Sequence, residues 1–268
     1  MRFPFRLVAI DLDETLLDQE HNISPQNEKA VEALVDDRVI CTIASGRMHE
    51  ATTRYASQLG LDTPVISYNG AMIKIPSSSE TWRHEKVESN LASEIVNFCA
   101  EFNYHLNYYL NDRLLVKERN KWSEIYLSQT GSPIEVYGDL RNLAGSAPTK
   151  LLLIDSPEST IRLQSEFKVR FGDKLYITRT NPEYLEFMNP LASKGSSLEI
   201  VARTMQIDQK LTLAVGDNMN DISMIKWAGL GAAMGNAKPE LKAVSDRVIG
   251  NNTESGFANF IFQLFEEN

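Results

Sequence analysis

The stretch Leu7-Val-Ala-Ile-Asp-Leu-Asp-Glu-Thr15 decides the fold of this chain. Residues 7–10 form an apolar run without polar alternation, which is typical of a strand buried on both faces of a parallel sheet. Asp11 and Asp13 follow directly at the end of that strand. Because open α/β sheets bind ligands at the carboxyl ends of their strands, we expect both carboxylates to lie at a ligand site.

Strand and helix patterns alternate on either side of a different middle segment. Ser24 and Pro25 predict the N-cap and first position of a helix, and Gly60 predicts the end of the next one. Further helices are predicted at 194–205, up to Met224 and after Glu254. The other predicted strands are 39–44, 64–68, 211–215, 231–234 and 247–249. This alternation predicts an α/β fold with a Rossmann-like, doubly wound parallel sheet and helices on both faces.

The middle of the chain follows another pattern. Residues 104–110 and 114–117 flank Asn111-Asp112-Arg113 and predict a hairpin. Strands are also predicted at 150–154, 175–178 and 183–187, with a helix at 158–171. We therefore expect an α/β cap domain at 83–188, inserted into a core domain formed by 1–82 and 189–268.

Composition excludes several classes of protein. The 268 residues include 27 basic and 36 acidic ones, a net charge of −9, which argues against sequence-independent nucleic-acid binding. The 43% hydrophobic content is too high for a disordered chain. Two cysteines do not make a disulfide framework, and no apolar run approaches the roughly 20 residues of a membrane span. We expect a cytoplasmic protein without nucleic-acid or membrane partners.

Three further polar motifs occupy comparable places, at the carboxyl ends of predicted strands or at helix starts. They are Ser45-Gly46, Lys194 and Gly216-Asp-Asn-Met-Asn-Asp221. Taken singly, each motif also has a simpler interpretation. Ser45-Gly46 could be an ordinary turn, Lys194 a surface lysine and the motif at 216–221 a helix cap. The Asp11 motif could be a solvated turn. Taken together, they supply carboxylates, a hydroxyl, an amine and oxygen ligands for a divalent cation such as Mg²⁺. That inventory suits phosphoryl transfer, in which positioning and charge stabilisation dominate.

The ordered set of motifs resembles the haloacid dehalogenase (HAD) superfamily, specifically the Cof-type phosphatases with a large type-II (IIB-like) cap. The resemblance spans the whole chain. It is carried by Asp11-Leu-Asp-Glu-Thr15, Ala44-Ser-Gly-Arg47, Ser67-Tyr-Asn-Gly-Ala71, Tyr184-Leu-Glu-Phe187 before Ser193-Lys-Gly195, and Gly216-Asp-Asn-Met-Asn-Asp221.

The resemblance implies a role for each motif residue. Asp11 would be the nucleophile that forms an aspartyl-phosphate, and Asp13 would be the general acid and then the general base. Mg²⁺ would be held by the Asp11 carboxylate, the Asp13 backbone carbonyl and Asp217. The residues at the phosphate would be Leu12, Ser45, Gly46, Lys194 and Asn220. Thr15 would bond near Asp11, and Asp221 would orient Lys194 or metal-bound waters.

The sequence leaves the roles of six residues open. Many members of the superfamily have glycine where this chain has Glu14. If that position required a positive φ, a glutamate there would be unfavourable. Arg47 could contact phosphate or act as a first-turn cation, and we favour a structural or peripheral role. In the middle segment, which would cover the site as a cap, the candidates for substrate selection are Tyr108, Asn111, Arg113 and Arg179.

The leading hypothesis is a Mg²⁺-dependent phosphatase that acts on small phosphorylated metabolites such as sugar phosphates. A phosphomutase of the phosphomannomutase type is the nearest alternative. A non-catalytic phospholigand-binding protein on the same fold is a second. We expect a monomer or a weak homodimer.

Overall fold

The computed structural model of the chain describes residues 2–78 and 80–267. The chain divides into two compact units. The first unit comprises Met1–Arg83 and Ser193–Asn268, and the second comprises His84–Ala192.

The secondary structure elements follow in chain order. The chain up to the second unit forms β1 (Leu7–Ile10), α1 (Pro25–Asp36), β2 (Ile40–Ile43), α2 (His49–Gln58), β3 (Val65–Ser67), β4 (Met72–Lys74) and β5 (Thr81–His84). Next come α3 (Ser89–Glu101), β6 (His105–Leu110), β7 (Arg113–Val116), α4 (Lys121–Thr130), β8 (Ile134–Val136), β9 (Lys150–Ile154), α5 (Pro157–Phe171), β10 (Tyr176–Arg179) and β11 (Tyr184–Met188). The last part forms α6 (Lys194–Thr204), β12 (Thr212–Gly216), α7 (Ile222–Trp227), β13 (Leu230–Ala233), α8 (Pro239–Lys242), β14 (Arg247–Val248) and α9 (Gly256–Glu266).

A five-stranded parallel sheet organises the first unit, in the order β14-β13-β12-β1-β2. Its central strand β1 is buried along its whole length, as the uninterrupted apolar run predicts. Ile10 lies beside Val215 on one side and Ile43 on the other. Asp11, Ala44 and Gly216 therefore follow in register at one edge of the sheet. The predicted α/β fold class with a parallel sheet is confirmed.

The strand predicted at 64–68 differs from expectation. β3 does not extend the parallel ladder but joins β4 and β5 in a three-stranded sheet, paired antiparallel with β4. Pro64, just before it, has no N–H to donate to a neighbour. The Thr42 hydroxyl instead donates to the Pro64 carbonyl at 2.5 Å. One parallel bridge, Ala44 with Ile66, still links the two sheets.

A six-stranded sheet organises the second unit, in the order β10-β11-β9-β6-β7-β8. Its strands pair antiparallel except for β7 with β8. Leu106, Leu153 and Phe187 of the sheet share a buried cluster with Ile95 of α3 and Phe167 of α5. The predicted hairpin and the strand at 150–154 are present. Helices α3 and α4 and strand β8 were not predicted.

Two further expectations concern the cysteines and membrane spans. Cys41 lies in β2 and Cys99 in α3, and both are free, buried thiols. Burial raises the pKa of Cys41 to about 12 and also raises that of Cys99. Across residues 2–78 and 80–267, no helix is both long and apolar enough to cross a bilayer.

Candidate active site

Asp11 and Asp221 meet at the ammonium group of Lys194. The Lys194 Nζ donates to Asp11 Oδ1 and to Asp221 Oδ1, each at 2.5 Å. Lys194 and Asp221 are fully buried, and Asp11 is 5% exposed. The interpretation of Lys194 as a surface lysine is therefore wrong. Burial by itself lowers the pKa of Lys194, but the two carboxylates outweigh that effect and raise it.

Close helix packing explains how Lys194 comes to be enclosed. It is the first residue of α6, whose N-cap Ser193 accepts from the Ser196 amide. A Cβ atom on Gly195 would lie 2.4 Å from the carbonyl oxygen of Ser223. Since that approach is too close for any side chain, glycine at 195 allows this part of α6 to lie against the residues that begin α7.

A third carboxylate, that of Asp217, completes a buried acidic cluster. Oxygens of Asp11, Asp217 and Asp221 lie within 4.8 Å of one another. Burial, then repulsion from Asp221, raises the pKa of Asp11 to about 7 against the opposing effect of Lys194. Burial, then repulsion from Asp11, raises the pKa of Asp217 to about 9. Three carboxyl groups therefore lie close together, two of them bonded to one ammonium, and an oxygen donor set of this kind fits a hard divalent cation.

Backbone hydrogen bonds fix the cluster from the side of β12. Asp221 Oδ2 accepts from the amides of Asp217 and Asn218, each at 3.0 Å. The Thr15 hydroxyl donates to Asp217 Oδ1 at 3.4 Å. Thr15 thus binds Asp217, which lies beside Asp11 in the cluster.

The second carboxylate of the opening motif does not join this cluster. The Asp13 side chain is 44% exposed and forms an ion pair with Arg47, whose side chain is 12% exposed. The predicted metal ligand on Asp13 is its backbone carbonyl, which takes no part in this ion pair. The next residue, Glu14, has φ 57° and ψ 10°. The position that is often glycine in the superfamily therefore does adopt a left-handed conformation here, which costs a non-glycine residue about 1 kcal/mol or more.

The predicted phosphate-binding residues surround a tight turn after β2. Ser45 is fully buried, and its Oγ accepts from the Arg47 amide at 3.1 Å. A Cβ on Gly46 would meet Asn69 Oδ1 at 2.8 Å, so any other residue at 46 would displace the Asn69 side chain. Asn69 Oδ1 also accepts from Asn220 Nδ2 at 2.8 Å. Asn69 thereby connects two predicted phosphate contacts, although it was singled out only as part of a family motif.

The predicted specificity residues of the second unit have other partners. Tyr108 belongs to the buried cluster of that unit, and its hydroxyl donates to the Ser146 carbonyl. Arg113 forms an ion pair with Glu135, and Arg179 donates to the Pro182 carbonyl. Asn111 turns the β6–β7 hairpin with φ 52°. These contacts do not favour a substrate role for any of the four.

Sequence comparison connects this arrangement to a family. The profile of the haloacid dehalogenase-like hydrolases matches residues 8–261. The chain belongs to this family. The match includes the strand before Asp11 and both segments of the first unit, so the resemblance drawn from the motifs is confirmed.

Two curated relatives are phosphatases of Bacillus subtilis (strain 168). Phosphatase YwpJ is 30% identical over 284 residues, which cover 97% of this chain and 99% of that protein. The 5-amino-6-(5-phospho-D-ribitylamino)uracil phosphatase YwtE is 29% identical over 283 residues, covering 97% and 98%. A crystal structure of a Thermotoga maritima protein has a TM-score of 0.89 and 30% identity, with 97% of each chain covered.

Proposed function

We propose that this hydrolase is a Mg²⁺-dependent phosphatase that cleaves small phosphorylated metabolites, such as sugar phosphates, through an aspartyl-phosphate intermediate. The observation that carries the proposal is the buried Asp11 carboxylate, held by Lys194 beside Asp217. The two phosphatase relatives of comparable length support the reaction class, and the ribitylamino phosphate in the name of one supports a small polyol ester as substrate.

In the first step, an Asp11 oxygen attacks phosphorus and the ester P–O bond breaks. The new bond is the acyl phosphate on Asp11, and the leaving alkoxide takes a proton from Asp13. Lys194 binds one oxygen of the Asp11 carboxylate. We therefore assign the attack on phosphorus to the other Asp11 oxygen. The ammonium group also offsets the charge that accumulates on the phosphoryl oxygens.

In the second step, water attacks the same phosphorus and transfers a proton to Asp13. The bond between Asp11 and phosphorus breaks, inorganic phosphate leaves, and both carboxyl groups return to their initial states. Asp13 therefore acts once as an acid and once as a base. Its 44% exposed side chain is accessible to an alcohol and to water.

The carboxylates of Asp11 and Asp217 and the backbone carbonyl of Asp13 would hold Mg²⁺. The ion would offset the repulsion between these carboxylates and an incoming phosphate. Ser45, the amides of Leu12 and Gly46, and the Asn220 side chain would bind the phosphoryl oxygens. Asp221, which binds Lys194 and two backbone amides, would keep that lysine in place.

Because the reacting groups all belong to the first unit, we assign substrate selection to the second, the residues expected to form the cap. Lid segments of this kind exclude water and complete the pocket. This division predicts that changes in the second unit alter the order of preferred substrates and leave the reaction type unchanged.

The direct test is inorganic phosphate release from a panel of sugar phosphates, ribityl phosphates and p-nitrophenyl phosphate, with Mg²⁺ present and after chelation. We expect turnover that needs Mg²⁺ and no bisphosphate activator. Strict dependence on a bisphosphate would indicate a mutase, and ligand binding without turnover would indicate a non-catalytic protein. Mg²⁺ should also raise the melting temperature of the wild type more than that of Asp217→Asn, which tests the metal site without an activity assay.

A further inference from the structure

The two aspartates of the opening motif are two residues apart but have different cations. Asp11 binds Lys194 inside the acidic cluster. Asp13 binds Arg47, which comes from the turn after β2, 34 residues further along the chain. The acid–base group of the proposed reaction is thus held by a cation other than the one that holds the nucleophile.

The contact between Arg47 and Asp13 has the geometry of a fork. Nε donates to Asp13 Oδ2 at 2.9 Å and to Oδ1 at 3.2 Å, and Nη2 donates to Oδ1 at 2.5 Å. Because a guanidinium group is planar and its N–H groups diverge at fixed angles, two-point contact fixes the plane of a carboxylate as well as its distance. A single ammonium group could not do this.

Arg47 is itself held from several sides. Its amide donates to Ser45 Oγ at 3.1 Å, and its carbonyl accepts from the Tyr68 amide at 2.9 Å. Its Nη1 donates to the Tyr55 hydroxyl at 3.3 Å, and the guanidinium lies 5.4 Å from the centre of that ring. Nη2 also donates to His21 Nδ1 at 3.1 Å. Both ends of the residue are therefore fixed.

These contacts occupy most of the donors on Arg47. Of five guanidinium N–H groups, the one on Nε, the two on Nη2 and one on Nη1 bind Asp13, His21 and Tyr55. Little donor capacity is left for a phosphate. The Asp13 carboxylate keeps unused lone pairs and is 44% exposed, so the carboxylate is the member of the pair that a substrate can reach.

We propose that Arg47 is a positioning residue, which sets the Asp13 carboxylate in one orientation for both proton transfers. The inference rests on the proposed function, because it concerns the acid–base step of that reaction. It specifies the structural role that the sequence favours for Arg47, in place of a phosphate contact.

A double-mutant cycle tests the proposal, with Arg47→Met, Asp13→Asn and the double variant assayed on a sugar phosphate. General acid–base groups contribute about 10²- to 10⁴-fold. We expect Asp13→Asn to lower kcat about 10³-fold and Arg47→Met about 30-fold, with KM changed less than about threefold. Because Arg47 acts through Asp13, the double variant should lie within about threefold of Asp13→Asn alone.

A second readout separates the two half-reactions. With p-nitrophenyl phosphate, whose leaving group needs little help from an acid, Arg47→Met should release one equivalent of nitrophenolate quickly and then turn over slowly. The burst is expected because attack of water on the phosphoenzyme still needs Asp13 as base. Arg47→Lys keeps the charge but loses the fork, and it should show the same burst.

Arg54→Met is the matched control, because Arg54 lies 5.6 Å from the centre of the same Tyr55 ring. It should stay within about twofold of the wild type. Losses that multiply in the double variant, a KM raised more than about tenfold in Arg47→Met, or full activity in Arg47→Lys would each overturn the proposal. A wild type without phosphatase activity would instead refute the proposed function, so the two failures are distinguishable.

Discussion

Each unit of the molecule buries one lysine against carboxylates, and the two sites differ in charge balance. In the first unit, Lys194 is shared by Asp11 and Asp221, with Asp217 nearby. In the second unit, Lys150 pairs with Glu186 at 3.2 Å, and the two side chains are 4% and 6% exposed. Lys150 also lies 4.8 Å from the centre of the Tyr109 ring.

Charge balance distinguishes a buried ion pair that stabilises the fold from one that takes part in a reaction. Lys150 and Glu186 form a buried ion pair of opposite charges, and Glu186 accepts a further bond from the Thr180 hydroxyl. The two charges of this pair offset each other. The site around Lys194 has three carboxyl groups for one ammonium. Their repulsion in a buried place is relieved by protonation, which the raised pKa values of Asp11 and Asp217 indicate, or by a bound cation. A buried cluster with more acids than cations therefore marks the reactive site.

The largest expected effect is on the nucleophile. Asp11→Asn removes the attacking carboxylate while retaining its shape, so we expect turnover to fall at least 10⁴-fold. Phosphate release measures this loss, and circular dichroism should show an intact fold. Substantial residual turnover would refute the nucleophile assignment.

Replacing each lysine by methionine separates the two sites. Lys194→Met should lower turnover about 10²- to 10³-fold, since it removes the group that stabilises the transferred phosphoryl charge. Both substitutions leave buried carboxylates without their cation, and Lys150→Met should destabilise the second unit by about 3 kcal/mol. Lys150→Met should differ from Lys194→Met in leaving the reacting groups of the first unit intact.

Denaturant unfolding measures that loss, and the double variant Lys150→Met/Glu186→Leu is the control. It should recover most of the stability, because both charges of the buried pair are then removed. If Lys150→Met cost nothing, the pair would not be the structural element inferred here.

His84 should cause a smaller effect, a pH dependence of the stability of the second unit. Burial, followed by the nearby Lys86 charge, lowers the pKa of His84 to about 4, against a weaker opposing effect of Asp112. Between that value and the ordinary 6.5, the unfolded chain binds more protons than the folded one, so stability rises with pH in this window. The stability that neutral His84 contributes should be fully present above pH 6.5 and should fall as the pH is lowered towards 4.

Urea midpoints at pH 7 and pH 5 measure this dependence. In His84→Gln the drop between the two pH values should be smaller than in the wild type. An equal drop in both proteins would show that other groups cause it.

The smallest effect is expected at Glu14. Glycine adopts φ 57° without steric cost, and Glu14→Gly also removes a negative charge that raises the pKa of Asp217. After the entropy cost of glycine in the unfolded chain is subtracted, we expect a stabilisation of about 1 kcal/mol. Differential scanning calorimetry should show a higher melting temperature, and a lower one would indicate that the Glu14 side chain contributes a favourable contact.

The sequence predicted those elements best whose pattern is local. The strands at 7–10 and 150–154 have the predicted bounds because each contains an unbroken apolar run, residues 7–10 in the first and 151–154 in the second. Helix α1 was predicted from Ser24 and Pro25, and Ser24 does accept from the Asn27 amide. Helix α3 was missed, and Glu88 at its N-cap makes no side-chain cap. Helix α4 did carry a start pattern, Asn120 with Ser123, which form a capping box.

Local sequence patterns likewise predicted only part of the candidate site. The motifs placed Asp11, Lys194 and Asp217 at one edge of the sheet, since strand order brings distant residues together. The motifs did not predict that Asp13 turns to Arg47, because that depends on the left-handed turn at Glu14 and on contacts of Tyr55 and His21. Such orientations arise from packing among residues far apart in sequence.

The two buried cysteines give this protein a built-in pair of unfolding reporters. Cys41 lies in the parallel sheet of the first unit and Cys99 in a helix of the second, and burial raises the pKa of each thiol. An alkylating reagent reacts with the thiolate, so each cysteine should be labelled only when its own unit opens. The rates of labelling at the two positions would therefore tell whether the units unfold together or one before the other.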